Sequence, residues 1–231
     1  MVSMRLFPVC LNIENRLCAV IGGGAVAERK VRGLLLAGAR VRVISPAITP
    51  GLMTLHDEGR VEWMARSYEG GDLEGVFLVI AATDDHQVQT AIFAEANQRN
   101  IFVNVVDTPE FCTFTLPAVV RQGDLMIAVS TNGKSPALAK HLRQKLEGMF
   151  GPEYAVLLDI LGQVRSRVLA EGRSQRENEK LFLRLLHPEI LNWIREKKWD
   201  EVQYHIYSVL GAGYPFEVAL PNGEFVRRRS L

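Results

Sequence analysis

A glycine turn set between two apolar runs restricts a fold more than any other feature of this chain. It lies in Leu17 to Ser45, LCAVIGGGAVAERKVRGLLLAGARVRVIS. Leu17 to Ile21 and Val41 to Ile44 are short apolar runs, and the segment between them carries Val26, Val31, Leu34 and Leu35 at helical spacing, which predicts strand, helix, strand. Gly22, Gly24 and Ala27 fit G-x-G-x-x-G/A. Gly22 lets the backbone turn, Gly24 keeps a side chain away from a pyrophosphate, and Ala27 lets the helix lie close on the sheet. The helix begins near Ala25 and aims free N–H groups and its positive dipole end at the same spot. Gly38 ends it as a C′ glycine. The pattern assigns a dinucleotide site to Gly22, Gly23 and Gly24, against the alternative of a purely steric turn. The acidic residue expected about 20 residues on, for the adenosine ribose, is replaced by Ile44, Ser45 and Pro46. This loop therefore does not separate NAD from NADP.

The chain has 231 residues, enough for one large domain or a medium domain with an appendage. Lys and Arg number 27 against 26 Asp and Glu, so no general electrostatic footprint for nucleic acid exists, and an anionic ligand must be met by local cations. Cys10, Cys18 and Cys112 are scattered, without metal-ligand spacing, and read as reduced thiols behaving as small buried hydrophobes in a cytoplasmic protein. No run is long enough to span a bilayer, and Met1 to Arg16 lacks the features of a signal peptide. A soluble protein is expected.

Phe7 to Ile13 reads as an edge strand or arm returning through Glu14-Asn15-Arg16. A helix follows around Leu52 to Glu58, then a brief strand at Val61 to Trp63. Val76 to Ala82 is a continuous apolar run of the kind buried on both faces of a sheet. It ends in Thr83-Asp84-Asp85 before a helix from about His86 to Arg99. Ligands in such sheets sit outside the carboxyl ends of strands, which favours Thr83 as a cofactor contact, while Asp84 or Asp85 serves equally well as a helix cap. Ile101 to Val106 is the next strand, ending near Asn104 and Asp107.

Beyond Pro109 the pattern changes to two strands, Phe114 to Val120 and Leu125 to Val129, joined by a short turn. A polar, flexible loop, Ser130 to Pro136, opens onto a helix bearing Leu138, Leu142 and Leu146 on one face, a place where carboxylates or phosphates can bind. From Glu153 to Leu210 the periodicity is helical with breaks near Gly172 and Pro188. Leu157, Ile160, Leu161 and Val164 mark one core face, and Trp193 and Trp199 fall in a later helix. Arg227 to Arg229 reads as a solvated tail.

Taken in order, GGGAVAERK, AATDD, NVVD and STNGKSP resemble the precorrin-2 dehydrogenase and sirohydrochlorin ferrochelatase family of siroheme biosynthesis, over about the first two-thirds of the chain. The resemblance implies an NAD-binding Rossmann domain over residues 1–113, a small αβ dimerisation segment over 114–150 and a helical C-terminal domain over 151–231. The fold class is thus α/β, a Rossmann-like parallel sheet followed by these two parts, in a homodimer. The family oxidises precorrin-2 to sirohydrochlorin with NAD, and some members also insert ferrous iron as a substrate.

The resemblance puts the catalytic aspartate on Asp107 and cofactor contacts on Gly22, Gly23, Gly24, Ala25, Val26, Ser45, Pro46, Ala47, Thr83, Asn104 and Val105. Substrate contacts fall on Ser130, Thr131, Asn132, Gly133, Lys134 and Ser135. No methyltransferase domain follows, so the chain is expected to act as a stand-alone form. Neither a permanent metal site, a membrane nor a nucleic-acid partner is implied.

Removing two hydrogens from a reduced tetrapyrrole needs a hydride acceptor and one nearby base, for which Asp107 suffices. Asp107 as a mere cap or turn former before Thr108-Pro109 is the alternative. Arg121, Lys134 and Arg143 are cations near the right loops for a polycarboxylate. His86 and His141 are isolated imidazoles outside any metal-spaced cluster. Two rivals remain open: a dehydrogenase without chelatase activity, and a non-catalytic NAD-responsive regulator.

Overall fold

The computed structural model describes residues 5–211, 213–220 and 225–228. Two compact units divide them, residues 5–116 and the residues from Pro117 onward.

In the first unit the elements alternate: β1 (Leu17–Ile21), α1 (Ala25–Leu36), β2 (Arg40–Ile44), α2 (Pro50–Asp57), β3 (Val61–Met64), β4 (Leu78–Ala81), α3 (His86–Gln98) and β5 (Phe102–Val105). The strands pair in parallel in the order β3-β2-β1-β4-β5. This is the Rossmann-like α/β arrangement expected of the glycine turn. The strand order reverses between β1 and β4, which makes their carboxyl ends the switch point where open sheets of this kind bind ligands. β1 is buried on both faces: Cys18 and Val20 point into one apolar layer, Ala19 and Ile21 into the other. Its register sets Ile21 opposite both Ile44 and Ala81, so three strands end level.

α1 lies on this sheet through Ala27, Val31 and Leu34. Val26 is exposed: it precedes the buried Ala27 by one residue, which turns it off the face that meets the sheet. Gly38 follows the helix with φ +77°, the left-handed conformation of a C′ residue.

Of the two readings of the segment before β1, edge strand or arm, the structure has the arm. Phe7 to Ile13 forms no ladder with any described strand, and Phe7, Val9 and Leu11 are exposed while Ile13 alone is buried. Alternating apolar residues make a strand only where a neighbour accepts their hydrogen bonds. The turn at Glu14 and Asn15 does form, with Asn15 at φ +58°.

The second unit begins with a hairpin, β6 (Ala118–Gln122) and β7 (Leu125–Val129), paired antiparallel. The strand starts four residues later than its apolar run suggested. Phe114 packs into the core of the first unit, and Pro117 has no N–H to give a ladder.

Helices α4 (Pro136–Met149), α5 (Glu153–Ala170), α6 (Gln175–Leu185), α7 (Ile190–Arg195) and α8 (Trp199–Leu210) follow. α5 to α8 enclose Ile160, Val164, Val168, Leu185, Val202 and Ile206. Trp193 and Trp199 belong to different helices, α7 and α8, because the chain breaks at Lys197, φ +57°. On α4 the leucine face exists but is uncovered: Leu138 and Leu142 are exposed, and only Ala139 is buried.

A second hairpin, β8 (Phe216–Ala219) with β9 (Phe225–Arg228), closes the helical core through Phe216 and Val218. Arg227 is therefore part of a strand and ion-paired with Glu217 rather than in a solvated tail. Arg229 lies outside the described residues.

Candidate functional site

Each of the three glycines after β1 has its own reason. Gly22 takes φ +120°, and a β-carbon there would collide with the Ala82 carbonyl after β4. Its N–H donates to the Ile44 carbonyl at 2.9 Å. At Gly23 a β-carbon would collide with the Ala47 carbonyl and stand 2.9 Å from Ser45 Oγ. The Gly23 carbonyl accepts from the Thr49 N–H at 2.9 Å, which locks this turn to the loop after β2. A β-carbon on Gly24, by contrast, would meet nothing within 4 Å.

Gly24 is also the N-cap of α1, and no side chain caps that helix. α2 and α3 are capped, by Thr49 and Asp85. The sheet thus presents one uncapped helix N-terminus beside open space, with the close backbone approach that a pyrophosphate requires. The residues present fit a dinucleotide.

Glu28, one turn into α1, closes one side of this cradle. Its carboxylate accepts from Thr49 Oγ1 at 2.6 Å and from Arg32 at 2.7 Å, and these two partners hold it below the usual carboxylate range. In the adjoining loop Ser45 is buried and committed: its hydroxyl donates to the Ala47 carbonyl at 2.7 Å, and its carbonyl accepts from Trp63 Nε1 at 2.9 Å. Pro46 and Ala47 remain exposed, as do Ala25 and Val26.

On the other side of the switch point, Thr83 is half-buried after β4, with its Oγ1 accepting from the Asp85 N–H at 3.3 Å. Asp85 is the capping residue of the acidic pair. Its carboxylate accepts from the N–H groups of Gln87 and Val88. Asp84 stays exposed.

Asp107 stands exposed in the turn after β5 at φ +60°, a conformation aspartate tolerates better than most residues. Val106 N–H donates to the Ala81 carbonyl at 2.9 Å, so this turn springs from the edge next to β4. The following 3₁₀ turn, Pro109–Phe111, takes Thr108 as its N-cap and has no side-chain cap, so the Asp107 carboxylate is not spent there. Cys112 Sγ sits under the turn, 3.3 Å from both the N–H and the carbonyl of Val105, and burial pushes its thiol up.

Asn104 and Val105, named as cofactor contacts, have structural partners. The Asn104 amide donates to the Phe114 carbonyl at 3.0 Å, and Val105 is buried in the sheet.

Two residues at this edge escaped the sequence reading. Lys30 on α1 is half-buried, and its ammonium is pushed below its ordinary value by burial and by Arg29, with the Asp107 charge acting the other way. Gln89 on α3 is buried and hydrogen-bonds both the Thr83 carbonyl and the Thr108 hydroxyl. A lysine and a glutamine in amphipathic helices carry no spacing signal; only their tertiary neighbours single them out. His86 opens α3, stacked on Phe111 with ring centroids 5.8 Å apart.

In the second unit, residues 130–135 form a closed turn rather than a flexible loop. Thr131 Oγ1 donates to the Ser135 carbonyl and accepts from the Ser135 N–H, each at 3.1 Å. Ser130 Oγ accepts from the Asn132 N–H, Asn132 and Gly133 take positive φ, and Ser135 Oγ caps α4 by accepting from the Leu138 N–H. Lys134 projects exposed from this turn, and Arg121 and His141 are exposed nearby in sequence, whereas Arg143 is ion-paired with Glu147.

Residues 9–118 match a family model described as "Putative NAD(P)-binding", and residues 122–149 match one described as "Sirohaem biosynthesis protein central". Siroheme synthase 1 of Aeromonas salmonicida is 40% identical over 188 residues, 81% of this chain and 40% of that protein. The siroheme synthase of Methylobacillus flagellatus is 43% identical over 224 residues, 95% of this chain and 48% of that protein. Over these stretches the chain is similar to siroheme synthases. It spans less than half the length of these two siroheme synthases. Among solved structures, SirC, a precorrin-2 dehydrogenase, superposes with a TM-score of 0.72 at 22% identity over 86% of this chain and 100% of that one, which establishes the shared fold. No helix among the described residues is long and apolar enough to cross a membrane.

Proposed function

We propose that this chain oxidises precorrin-2 to sirohydrochlorin, using NAD, at the sheet edge where β1, β4 and β5 end. One observation carries the proposal: an uncapped, glycine-lined helix N-terminus and an exposed aspartate held in a left-handed turn share that edge. NAD, when bound there, accepts a hydride. The first-turn N–H groups of α1 would hold its pyrophosphate, and the exposed Pro46 and Ala47 and the half-buried Thr83 would contact the rest of it.

Loss of a hydride from the tetrapyrrole leaves a proton to be removed from a neighbouring atom, and the Asp107 carboxylate takes it and passes it to water. Lys30 lies close enough to Asp107 for that carboxylate's charge to act on its ammonium. Ferrous iron enters as a second substrate, and the same carboxylate then receives the pyrrole N–H protons it displaces. Lys134, exposed on the turn before α4, is a cation suited to a substrate carboxylate. The uncovered face of α4, with Leu138, Leu142 and Met149 exposed, supports burial against a second copy in a homodimer.

The test is an anaerobic absorbance time course of the purified protein with precorrin-2, with and without NAD, followed by ferrous iron. Sirohydrochlorin forming only with protein and NAD upholds the dehydrogenase. Faster conversion on adding iron than in a protein-free control adds the chelatase, and an unchanged rate removes it. Absence of NAD-dependent oxidation overturns the proposal and leaves an NAD-responsive regulator.

A further inference from the structure

We propose that Gln89 is a positioning residue that fixes the Asp107 turn relative to the Thr83 end of β4. The inference rests on the dehydrogenase reading above for its catalytic consequence, but its geometry is independent of it. The β4–β5 ladder ends at the pair Ala81 and Val105, and the last main-chain bond beyond it runs from Val106 N–H to the Ala81 carbonyl. Thr83 and Asp107 both lie past that point, so the sheet does not set their separation.

Gln89 spans the gap. It is 7% exposed in the second turn of α3. Its Nε2 donates to the Thr83 carbonyl at 2.7 Å, and its Oε1 accepts from Thr108 Oγ1 at 3.2 Å. Among the described residues, side-chain bonds between these two loops run through this amide. A carbonyl can only accept, so Nε2 must face Thr83, which leaves Oε1 for the Thr108 hydroxyl and settles the amide orientation by its partners. His86 Nδ1 stands 3.4 Å from the same oxygen.

The amide acts at one residue's remove from Asp107. With Val106 N–H bonded to the Ala81 carbonyl on one side and Thr108 tied to Gln89 and to Cys112 Sγ, 3.4 Å from its carbonyl, on the other, the left-handed Asp107 between them has little freedom. Released from Gln89, the Thr108 hydroxyl has only the Val106 carbonyl among the described residues, 3.5 Å away, and the Asp107 turn loses its side-chain tie to α3. A displacement of about 1 Å at a reacting group is worth up to a hundredfold in rate.

The experiment compares Gln89→Leu, Thr108→Val, Thr108→Ser and the double variant Gln89→Leu/Thr108→Val by precorrin-2 oxidation kinetics, NAD calorimetry and hydrogen exchange of the peptides carrying Asp107 and Thr83. Thr108→Val should lower kcat about tenfold or more with NAD affinity unchanged. Gln89→Leu should lower kcat at least as far and also weaken NAD a few fold, since it frees Thr83 as well. The double variant should lose no more than Gln89→Leu alone, because both remove one link. Thr108→Ser, which keeps the hydroxyl, should recover most of what Thr108→Val loses.

Faster exchange of the Asp107 peptide should accompany both variants, confined to it in Thr108→Val and extending to the Thr83 loop in Gln89→Leu. Additive losses, a Thr108→Ser enzyme as poor as Thr108→Val, or unchanged exchange would overturn the proposal. If the wild-type protein shows no oxidation, the dehydrogenase reading falls alone, and exchange with NAD calorimetry still decides whether Gln89 positions the turn. If Gln89→Leu fails to fold, the Thr108 pair decides it.

Discussion

The carbonyl of Ala47 occupies the space into which a side chain on Gly23 would have to grow. Its neighbour Gly24 faces open space. The two glycines should therefore fail in opposite ways. Gly23→Ala must push the loop after β2 away and break the Thr49 N–H bond, at about 2–3 kcal/mol by urea unfolding. Gly24→Ala, at an extended backbone any residue adopts, should leave stability within about 1 kcal/mol and weaken NAD at least tenfold by calorimetry.

Asp107→Asn keeps size and a residue suited to φ +60° but removes the carboxylate. The variant should fold and bind NAD as the wild type does, and lose about a hundredfold or more in precorrin-2 oxidation. Retained turnover would end the case for Asp107 as the base.

Lys30 is a base whose folded-state value lies below its ordinary one, chiefly through burial. The folded state then binds fewer protons than the unfolded state between those two values, so this group's contribution rises with pH across that window and is unfavourable below it. Lys30→Met should remove that cost at pH 7 and leave the thermal midpoint unchanged or higher, the gain being small because the ammonium is half in water. Oxidation should slow at the same time, since Asp107 loses its nearby cation. A lower midpoint would show that Lys30 is held for stability.

Glu95 on α3 anchors the loop before β4. Burial alone would push its carboxyl up, but the Tyr68 hydroxyl, the N–H groups of Gly71 and Leu73, and Arg99 together bring it below its ordinary value. A lowered carboxylate contributes stability that is complete above its unfolded value, about 4.3 for Glu, and is lost as pH falls through the folded one. Glu95→Gln should cost about 1–2 kcal/mol at pH 7, and its midpoint should converge on the wild type's below about pH 4.

The three thiols are free and differ in access. Cys10 is exposed, Cys112 is half-buried, and burial pushes the Cys18 thiol up to about 11. Alkylation followed by mass spectrometry should modify Cys10 first, Cys112 slowly, and Cys18 only on unfolding. The exposure of Cys10 follows from its arm remaining outside the sheet, so all three cysteines were not alike buried hydrophobes, as their composition suggested.

The first unit was legible in the residues because its signals are local. An apolar run followed by glycines and a helical period needs no distant partner to be read, and parallel strands buried on both faces write their burial directly as continuous Val, Ile and Ala. The α1 turn, a helix cap at Asp84 or Asp85 and the strand ends carrying Thr83 and Asp107 came from that grammar, and the structure chose Asp85. The sequence also carried the order of motifs on which its similarity to siroheme synthases rests.

Tertiary structure decided what depends on neighbours far away in the chain. Gly23 has no special φ, and its necessity comes from a carbonyl 24 residues on. Gln89 and Lys30 look like ordinary helix residues until β4, β5 and the Asp107 turn surround them. The Phe7 to Ile13 arm has the alternation of a strand and no partner, and β8 and β9 are strands because a helical core offers Phe216 and Val218 a place to be buried. Periodicity fixes which face of a segment is apolar; what that face meets, and which polar groups are then left to act, is set by packing between segments that the linear order keeps apart.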